Sequence, residues 1–337
     1  MIRIQCWHMY DDIISLENLL AAWSEFRAGK RKRTDVQLFE RNLMTNLIAL
    51  HTDLKNKTYR HGPYHAFRIS DPKPRDIHKA SVKDRVLHHA IYRILYPFFD
   101  TAFVYTSYSC RKNKGTHKAL EQFKLLSWKV SKSNTKTCWV LKCDVKKFFA
   151  SIDQRILVGV LSTYIRDNNI LLLLQEIIGS FHSTELHKGL PLGNLTSQLL
   201  VNIYMHEFDY YVKHFLKAKY YVRYADDFVI FSHTRESLVH LIPEIQNVLT
   251  NLLHLQLHPK KVSIKTLASG IDFLGWVHFP DHRTLRSATT RRMMRRVQEN
   301  PKPETIQSYL GLLAHGNART LQEEILCASP TPGVFIV

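Results

Sequence analysis

Tyr220-Tyr221-Val222-Arg223-Tyr224-Ala225-Asp226-Asp227-Phe228-Val229-Ile230-Phe231 is the stretch on which the reading of this chain turns. Two apolar runs, Tyr220 to Tyr224 and Phe228 to Phe231, are separated by Ala225-Asp226-Asp227, which predicts a β-hairpin with adjacent aspartates at its tip. Neighbouring carboxylates between greasy strands raise each other's pKa unless a cation compensates. A hard divalent ion that prefers oxygen ligands, Mg²⁺ or Mn²⁺, does this. Aspartate is also a favoured turn residue, so the pair alone is weak evidence. A third acid strengthens it. Cys138-Trp139-Val140-Leu141-Lys142-Cys143 reads as a buried strand ending at Asp144. Three acids on neighbouring strand ends can hold two metal ions roughly 3.5–4 Å apart.

Outward from the hairpin, helical periodicity is expected over 13–27, 38–57, 81–99 (with Ser81 as cap), 153–180, 196–216 and 236–255. Short strands are expected at Tyr64–Ile69, Val262–Ile264 and Phe273–Phe279, with Gly270 turning between the last two. The prolines of Asp71-Pro72-Lys73-Pro74-Arg75 forbid a helix and expose the basic side chains. Gly29-Lys30-Arg31-Lys32-Arg33 is a basic loop, either a wet surface or a phosphate contact. Strands and helices mix without βαβ regularity, so the expected class is α+β.

The chain has 337 residues, a length that suits two or three subdomains. Lys and Arg number 47 against 29 Asp and Glu, a net +18, and a surplus that large repels itself unless a polyanion such as nucleic acid is nearby. The five cysteines (Cys6, Cys110, Cys138, Cys143, Cys327) form no CxxC pair and read as reduced thiols, with Cys138 and Cys143 in core packing. The N-terminus lacks a signal-peptide pattern and no apolar run reaches spanning length, so a protein inside a cell with no membrane anchor is expected.

Tyr224-Ala225-Asp226-Asp227 has the form of the Y-x-D-D motif, and seven ordered blocks along the chain resemble those of reverse transcriptases. A fingers block is similar to Lys73-Pro74-Arg75 with Ser81-Val82-Lys83-Asp84-Arg85, and the next to Ser107–His117. Motif A is similar to Asp144-Val145-Lys146-Lys147-Phe148-Phe149, and motif B to Gly189–Gln198. Motif D resembles Leu257-His258-Pro259-Lys260-Lys261, and the primer grip Phe273-Leu274-Gly275. The resemblance implies a right-hand polymerase. Residues 1–137 would be an N-terminal extension and fingers. Residues 138–279 would be the palm, its antiparallel sheet carrying the acids and with fingers helices inserted at about 153–192, and 280–337 a short helical thumb.

By the same resemblance, Asp144, Asp226 and Asp227 are ligands of two Mg²⁺ ions (or Mn²⁺), with Asp144 and Asp226 the more direct pair. The Val145 carbonyl completes one shell. Phe149, five residues after Asp144, matches the steric gate that leaves no room for a 2′-hydroxyl, while Phe148 reads as core. Arg75 matches the fingers arginine that grips the triphosphate, with Lys73, Lys83 and Arg85 as nearby candidates. Lys260 or Lys261, the pattern favouring Lys261, would serve the leaving pyrophosphate. Leu192, Gly193 and Gln198 would border the dNTP. Phe273 and Leu274 would anchor the primer-grip turn in the core, and Gly275 would admit close backbone approach. Arg291, Arg292, Arg295 and Arg296 form two i,i+4 pairs that would contact duplex phosphates or simply be solvated.

Motif B departs from many family members, with Leu192 where a glutamine is common and Gln198 where a proline is common. That form, Asn194-Leu195-Thr196, the stretch Cys110–His117 and the late Ser308–Asn317 resemble reverse transcriptases of diversity-generating retroelements. The resemblance implies a prokaryotic or phage-encoded cytoplasmic enzyme that copies a template RNA into cDNA with errors at template adenines. Its implied partners are dNTPs, the RNA/cDNA duplex and a small basic accessory protein. Competing readings are another compact prokaryotic reverse transcriptase (phage-defence or group II intron-like), a catalytically idle RNA-binding scaffold, and a two-metal nuclease.

Overall fold

The computed structural model describes residues 5–70 and 74–327. The chain divides into two compact units. One comprises Met1–Arg111, Val145–Lys217 and Glu244–Leu257, and the other Lys112–Asp144, Ala218–Pro243 and His258–Val337. As expected for α+β, helices and antiparallel sheet are mixed.

The first unit is mostly helical. Leu16–Arg27 buries Leu19, Ala22, Trp23 and Phe26 against Val82–Ala102, whose inner face is Val86, Leu87, Ala90 and Ile91. Buried Asn18 donates from Nδ2 to the Ala90 carbonyl at 3.1 Å, which satisfies its amide inside that interface. Ser81 caps Val82–Ala102 by accepting from the Asp84 N–H at 3.2 Å, as its sequence position predicts. Leu195–His214 packs on the same long helix.

The expected helices of this unit need correction: 13–27 and 38–57 are each broken, into Tyr10–Ile14 with Leu16–Arg27 and into Thr34–Arg41 with Leu43–Lys55. The apolar pattern over 153–180 is two helices, Gln154–Ser162 and Asn168–Gly179. Asp167 ends the continuity because its carboxylate caps the second helix, accepting from Asn169 N–H at 2.8 Å. The strand expected at Tyr64–Ile69 forms, over His65–Ile69, and it has a partner. Strands β1 (His65–Ile69) and β2 (Arg75–Lys79) pair antiparallel, with Ile69 opposite Arg75. Asp71, Pro72 and Lys73 lie outside the described residues.

The second unit carries a four-stranded antiparallel sheet of β3 (Trp139–Asp144), β4 (Tyr221–Tyr224), β5 (Asp227–Ser232) and β6 (Ser263–Thr266), in the order β4-β5-β3-β6. The central strands β3 and β5 are apolar because both faces are covered: Val140, Leu141, Cys143, Phe228, Val229 and Ile230 are all buried. Cys138 and Cys143 are free and buried, the core role expected of them. A helix not anticipated from the sequence, Thr116–Val130, packs on β4 and β5. Its Phe123 ring lies 4.9 Å from Phe231 and 5.5 Å from Phe273.

A second sheet follows. Phe273–Phe279 is not one strand but a hairpin, β7 (Ile271–Phe273) and β8 (Trp276–His278), extended by β9 (Arg283–Leu285). Leu274 and Gly275 make the turn at φ +51° and +87°. Three helices come next, Ser287–Glu299, Pro303–Leu313 and Arg319–Cys327. Among the described residues no helix is long and apolar enough to cross a membrane.

Gly316 locks the late loop onto β8. A Cβ there would lie 2.0 Å from the ring of Trp276, which is fully buried. We expect Gly316→Ala to destabilise the fold by about 1–3 kcal/mol or more through overpacking. A wild-type thermal midpoint in this variant would show that the indole has room to move.

Candidate active site

The acids stand where the sheet register puts them. Asp144 ends β3 directly opposite Asp227, the start of β5, and Asp227 in turn pairs with Tyr224 to close the hairpin. Ala225 and Asp226 form its two-residue turn, for which Ala225 adopts φ +54°, a left-handed conformation rare for alanine. Two contacts hold the tip. Arg223, whose side chain is fully buried, donates from Nη1 to the Ala225 carbonyl at 3.0 Å. Thr116 Oγ1 donates to the Tyr224 hydroxyl at 3.1 Å.

Each acid of the facing pair meets a lysine. Lys261 Nζ donates to Asp144 Oδ1 at 2.8 Å, whereas among the described residues no acid meets the Lys260 side chain. Lys142, on the same face of β3 as Asp144, places Nζ 3.8 Å from Asp227 Oδ2. Asp227 Oδ1 is buried without a hydrogen-bond partner. Burial pushes the Asp227 carboxyl up to about 7; Lys142 opposes the rise, and Asp144, Asp226 and Asp272 add to it. Burial likewise pushes the neighbouring Cys143 thiol up to about 12.

A buried carboxylate oxygen lacking a donor, in a site with surplus negative charge and oxygen ligands, fits a hard divalent cation. Among the described residues, no group of three or more His, Cys, Asp and Glu side chains is drawn together closely enough to hold an ion as it stands. Asp144 Oδ1 is engaged by the Lys261 ammonium.

The turn Leu274-Gly275 belongs to the same unit. Phe273 is buried beneath it, as expected, but Leu274 is half-exposed, so it does not anchor the turn in the core. Gly275 offers its carbonyl to the Arg286 N–H at 3.0 Å. In Ser287–Glu299, Met293 and Val297 form the buried stripe. Arg291, Arg295 and Arg296 are exposed, Arg292 is half-buried, and Arg295 lies 3.8 Å from Glu299.

In the first unit, Phe149 and Leu192 line one cleft of about 560 Å³, together with Phe67, Arg68, His78 and Phe181. The Phe149 carbonyl accepts from the Leu190 N–H at 2.9 Å. The motif B loop is laced to β2: the His78 N–H donates to the Leu192 carbonyl at 3.0 Å, and Asn194 Nδ2 to the His78 carbonyl at 2.9 Å. Gly193, at φ +103°, passes so close to Ile77 that a Cβ would sit 2.9 Å from its Cγ2. Arg75 is exposed at the head of β2, and Gln198 lies in the first turn of Leu195–His214; neither lines the cleft. Val145 is buried and bridges to Leu257. Lys73 lies outside the described residues.

Sequence reasoning gave no role to Lys142, Arg223 or Arg286, and it marked Asn194 only as part of motif B. The first two had a signal: a charged residue inside an otherwise apolar strand needs a partner, and near an acid motif that partner is part of the site.

Residues 70–278 match the family model described as reverse transcriptase (RNA-dependent DNA polymerase). The chain is 26% identical over 306 residues to protein YkfC of Escherichia coli (strain K12), covering 79% of this chain and 78% of that protein. It is 28% identical over 175 residues to the group II intron-encoded protein LtrA of Lactococcus lactis subsp. cremoris, covering 50% of this chain but only 28% of LtrA. It is 22% identical over 298 residues to the putative COX1/OXI3 intron 2 protein of Saccharomyces cerevisiae, covering 68% of this chain and 34% of that protein.

Proposed function

The chain belongs to the reverse transcriptase family and is an enzyme of that kind, and on that premise we propose that it makes cDNA from a template RNA by two-metal nucleotidyl transfer. The observation that carries this reading is the register that sets Asp144 opposite Asp227 beside the Asp226 turn. In this reading the sheet β4-β5-β3-β6 is the palm, β1 and β2 belong to the fingers, and the helices from Ser287 onward form a short thumb.

Asp144, Asp226 and Asp227, with the Val145 carbonyl, would hold two Mg²⁺ ions (or Mn²⁺), which when bound lower the pKa of the primer 3′-hydroxyl and stabilise the leaving pyrophosphate. The chain's own groups do the rest. Arg75 and Lys73 grip the triphosphate, the guanidinium by paired hydrogen bonds. Lys261 brings its ammonium to the pyrophosphate as proton donor or counter-charge. Phe149 excludes the 2′-hydroxyl, so dNTPs are the substrates. Phe273, Leu274 and Gly275 position the primer terminus, and the arginines at 291, 292, 295 and 296 meet duplex phosphates without reading sequence.

Motif B supports the finer reading, an error-prone enzyme of a diversity-generating retroelement working with a small basic accessory protein. Leu192 borders the same cleft as Phe149 and cannot hydrogen-bond an incoming nucleotide, whereas glutamine could. Losing one such contact changes discrimination by roughly 1–3 kcal/mol. The similarity to LtrA favours a second reading, a group II intron-like enzyme.

Sequencing cDNA made by the purified enzyme on a defined RNA separates the two. The first reading expects errors concentrated at template adenines and reduced about tenfold in Leu192→Gln. A flat error spectrum favours the intron-type reading, and an unchanged one in Leu192→Gln removes that residue from fidelity.

A further inference from the structure

A continuous chain of polar contacts runs from the turn at Leu274-Gly275 to the catalytic acid Asp227. The Gly275 carbonyl accepts from the Arg286 N–H at 3.0 Å. The Arg286 guanidinium is ion-paired with the Asp272 carboxylate through Nη2 and Oδ1. The Asp272 carbonyl accepts from Lys142 Nζ at 2.5 Å, and the same ammonium stands 3.8 Å from Asp227 Oδ2. Asp272 is the middle residue of β7, so the chain fastens the turn at two points: β7 through Asp272, and the turn itself through the Gly275 carbonyl.

We propose that Lys142 is a positioning residue that couples the primer-terminus turn to the catalytic carboxylate Asp227, so that correct seating of the turn and correct placement of the acid are set by one ammonium. The proposal rests on the reading of Phe273-Leu274-Gly275 as the primer-terminus turn. A lysine suits the role better than a neutral side chain. It has three donors, enough to hold a carbonyl and face a carboxylate together. Its stem crosses the apolar strand while its head stays polar, and its side chain is 18% exposed. It approaches Asp227 through Oδ2 and leaves Oδ1 without a donor, so the acid is held by one oxygen and open at the other.

The simpler alternative is that Lys142 only offsets the charge of a buried acid. That role needs no Arg286. The two ideas therefore differ in whether the residues at the two ends of the chain act as a unit.

The test uses the full chain as wild type, Lys142→Met, Lys142→Arg, Arg286→Met and the Lys142→Met/Arg286→Met double variant. Primer extension gives kcat and the KM for a primer–template duplex. Amide hydrogen exchange over 271–277 is read on the substrate-free chain. Each Met variant is expected to lose about tenfold in kcat, raise the duplex KM and exchange faster in the turn. The double variant is expected to fall no further than the worse single, because residues acting through one network are not additive. Lys142→Arg should recover most of the exchange protection and part of the activity.

Losses that multiply to about a hundredfold in the double variant, or a Lys142→Met turn that exchanges like wild type, would overturn the coupling. The premise fails differently. Faster exchange in the turn with an unchanged duplex KM would keep the coupling and sink the reading of that turn as the primer grip. Should Lys142→Met fail to fold, Arg286→Met and Lys142→Arg still report, since both keep a cation at position 142 beside Asp227.

Discussion

Asp144→Asn and Asp227→Asn are each expected to cut primer extension by on the order of 10³-fold or more while the chain stays folded, because in the proposed two-metal reading each removes a ligand charge from the centre. The Asp227 variant carries a second, independent signature. Its carboxyl has an ordinary value of 3.8 and is pushed up to about 7 by burial. Between those values the folded state binds more protons than the unfolded one. The contribution of this group to stability is therefore fully present below the unfolded value and is lost as pH rises through the folded one. Asn at 227 cannot ionise, so the variant is expected to lack that loss and to be more stable than wild type above neutrality, by roughly 2–4 kcal/mol at most. Mg²⁺ should narrow the gap by raising the wild-type melting temperature at pH 8 but not that of the variant. Thermal melts from pH 4 to pH 8, with chelator and with Mg²⁺, check this. Parallel pH profiles for the two proteins would mean that Asp227 is not the strained acid of the site.

How much of this site could be read without coordinates varied with the kind of signal. The hairpin of Asp226 and Asp227 was legible because two apolar runs leave room for nothing but a turn between them, and the register then follows from the pairing of Tyr224 with Asp227. The helix Thr116–Val130 was not, since its exposed face mixes Lys, Glu and Gln with exposed Leu125 and Trp128, which blurs the period. Phe273–Phe279 passed for one strand because leucine at a left-handed position carries no turn signal, and Gly275 alone was too little. Composition showed basic character but not which basic residues work in pairs. Lys142 and Arg223 look like interruptions in apolar strands; only the fold shows that one faces Asp227 and the other grips the Ala225 carbonyl.

Phe149→Ala is expected to lower the preference for dNTPs over rNTPs by about 10²-fold, with the rate on dNTPs changed far less, because in the proposed reading the ring excludes a 2′-hydroxyl rather than binding the sugar. The contrast with its neighbour makes the assignment testable on stability as well. Phe148 is buried, its ring edge-on to Phe149 at 5.6 Å, while Phe149 is half-buried and turned to the cleft it shares with Leu192. Truncating Phe148 should cost about 3–5 kcal/mol of stability and leave sugar selection alone. Truncating Phe149 should cost less than that and change selection. The division follows from the short helix Phe148–Ser151, in which consecutive residues point about 100° apart. One ring is thereby sent to the core and the next to the cleft floor. Single-nucleotide insertion with matched dNTP and rNTP pairs gives the ratio, and chemical denaturation gives the stabilities. A Phe149→Ala enzyme that still rejects ribonucleotides as wild type does would return this ring to the status of core packing and move the gate elsewhere in the cleft.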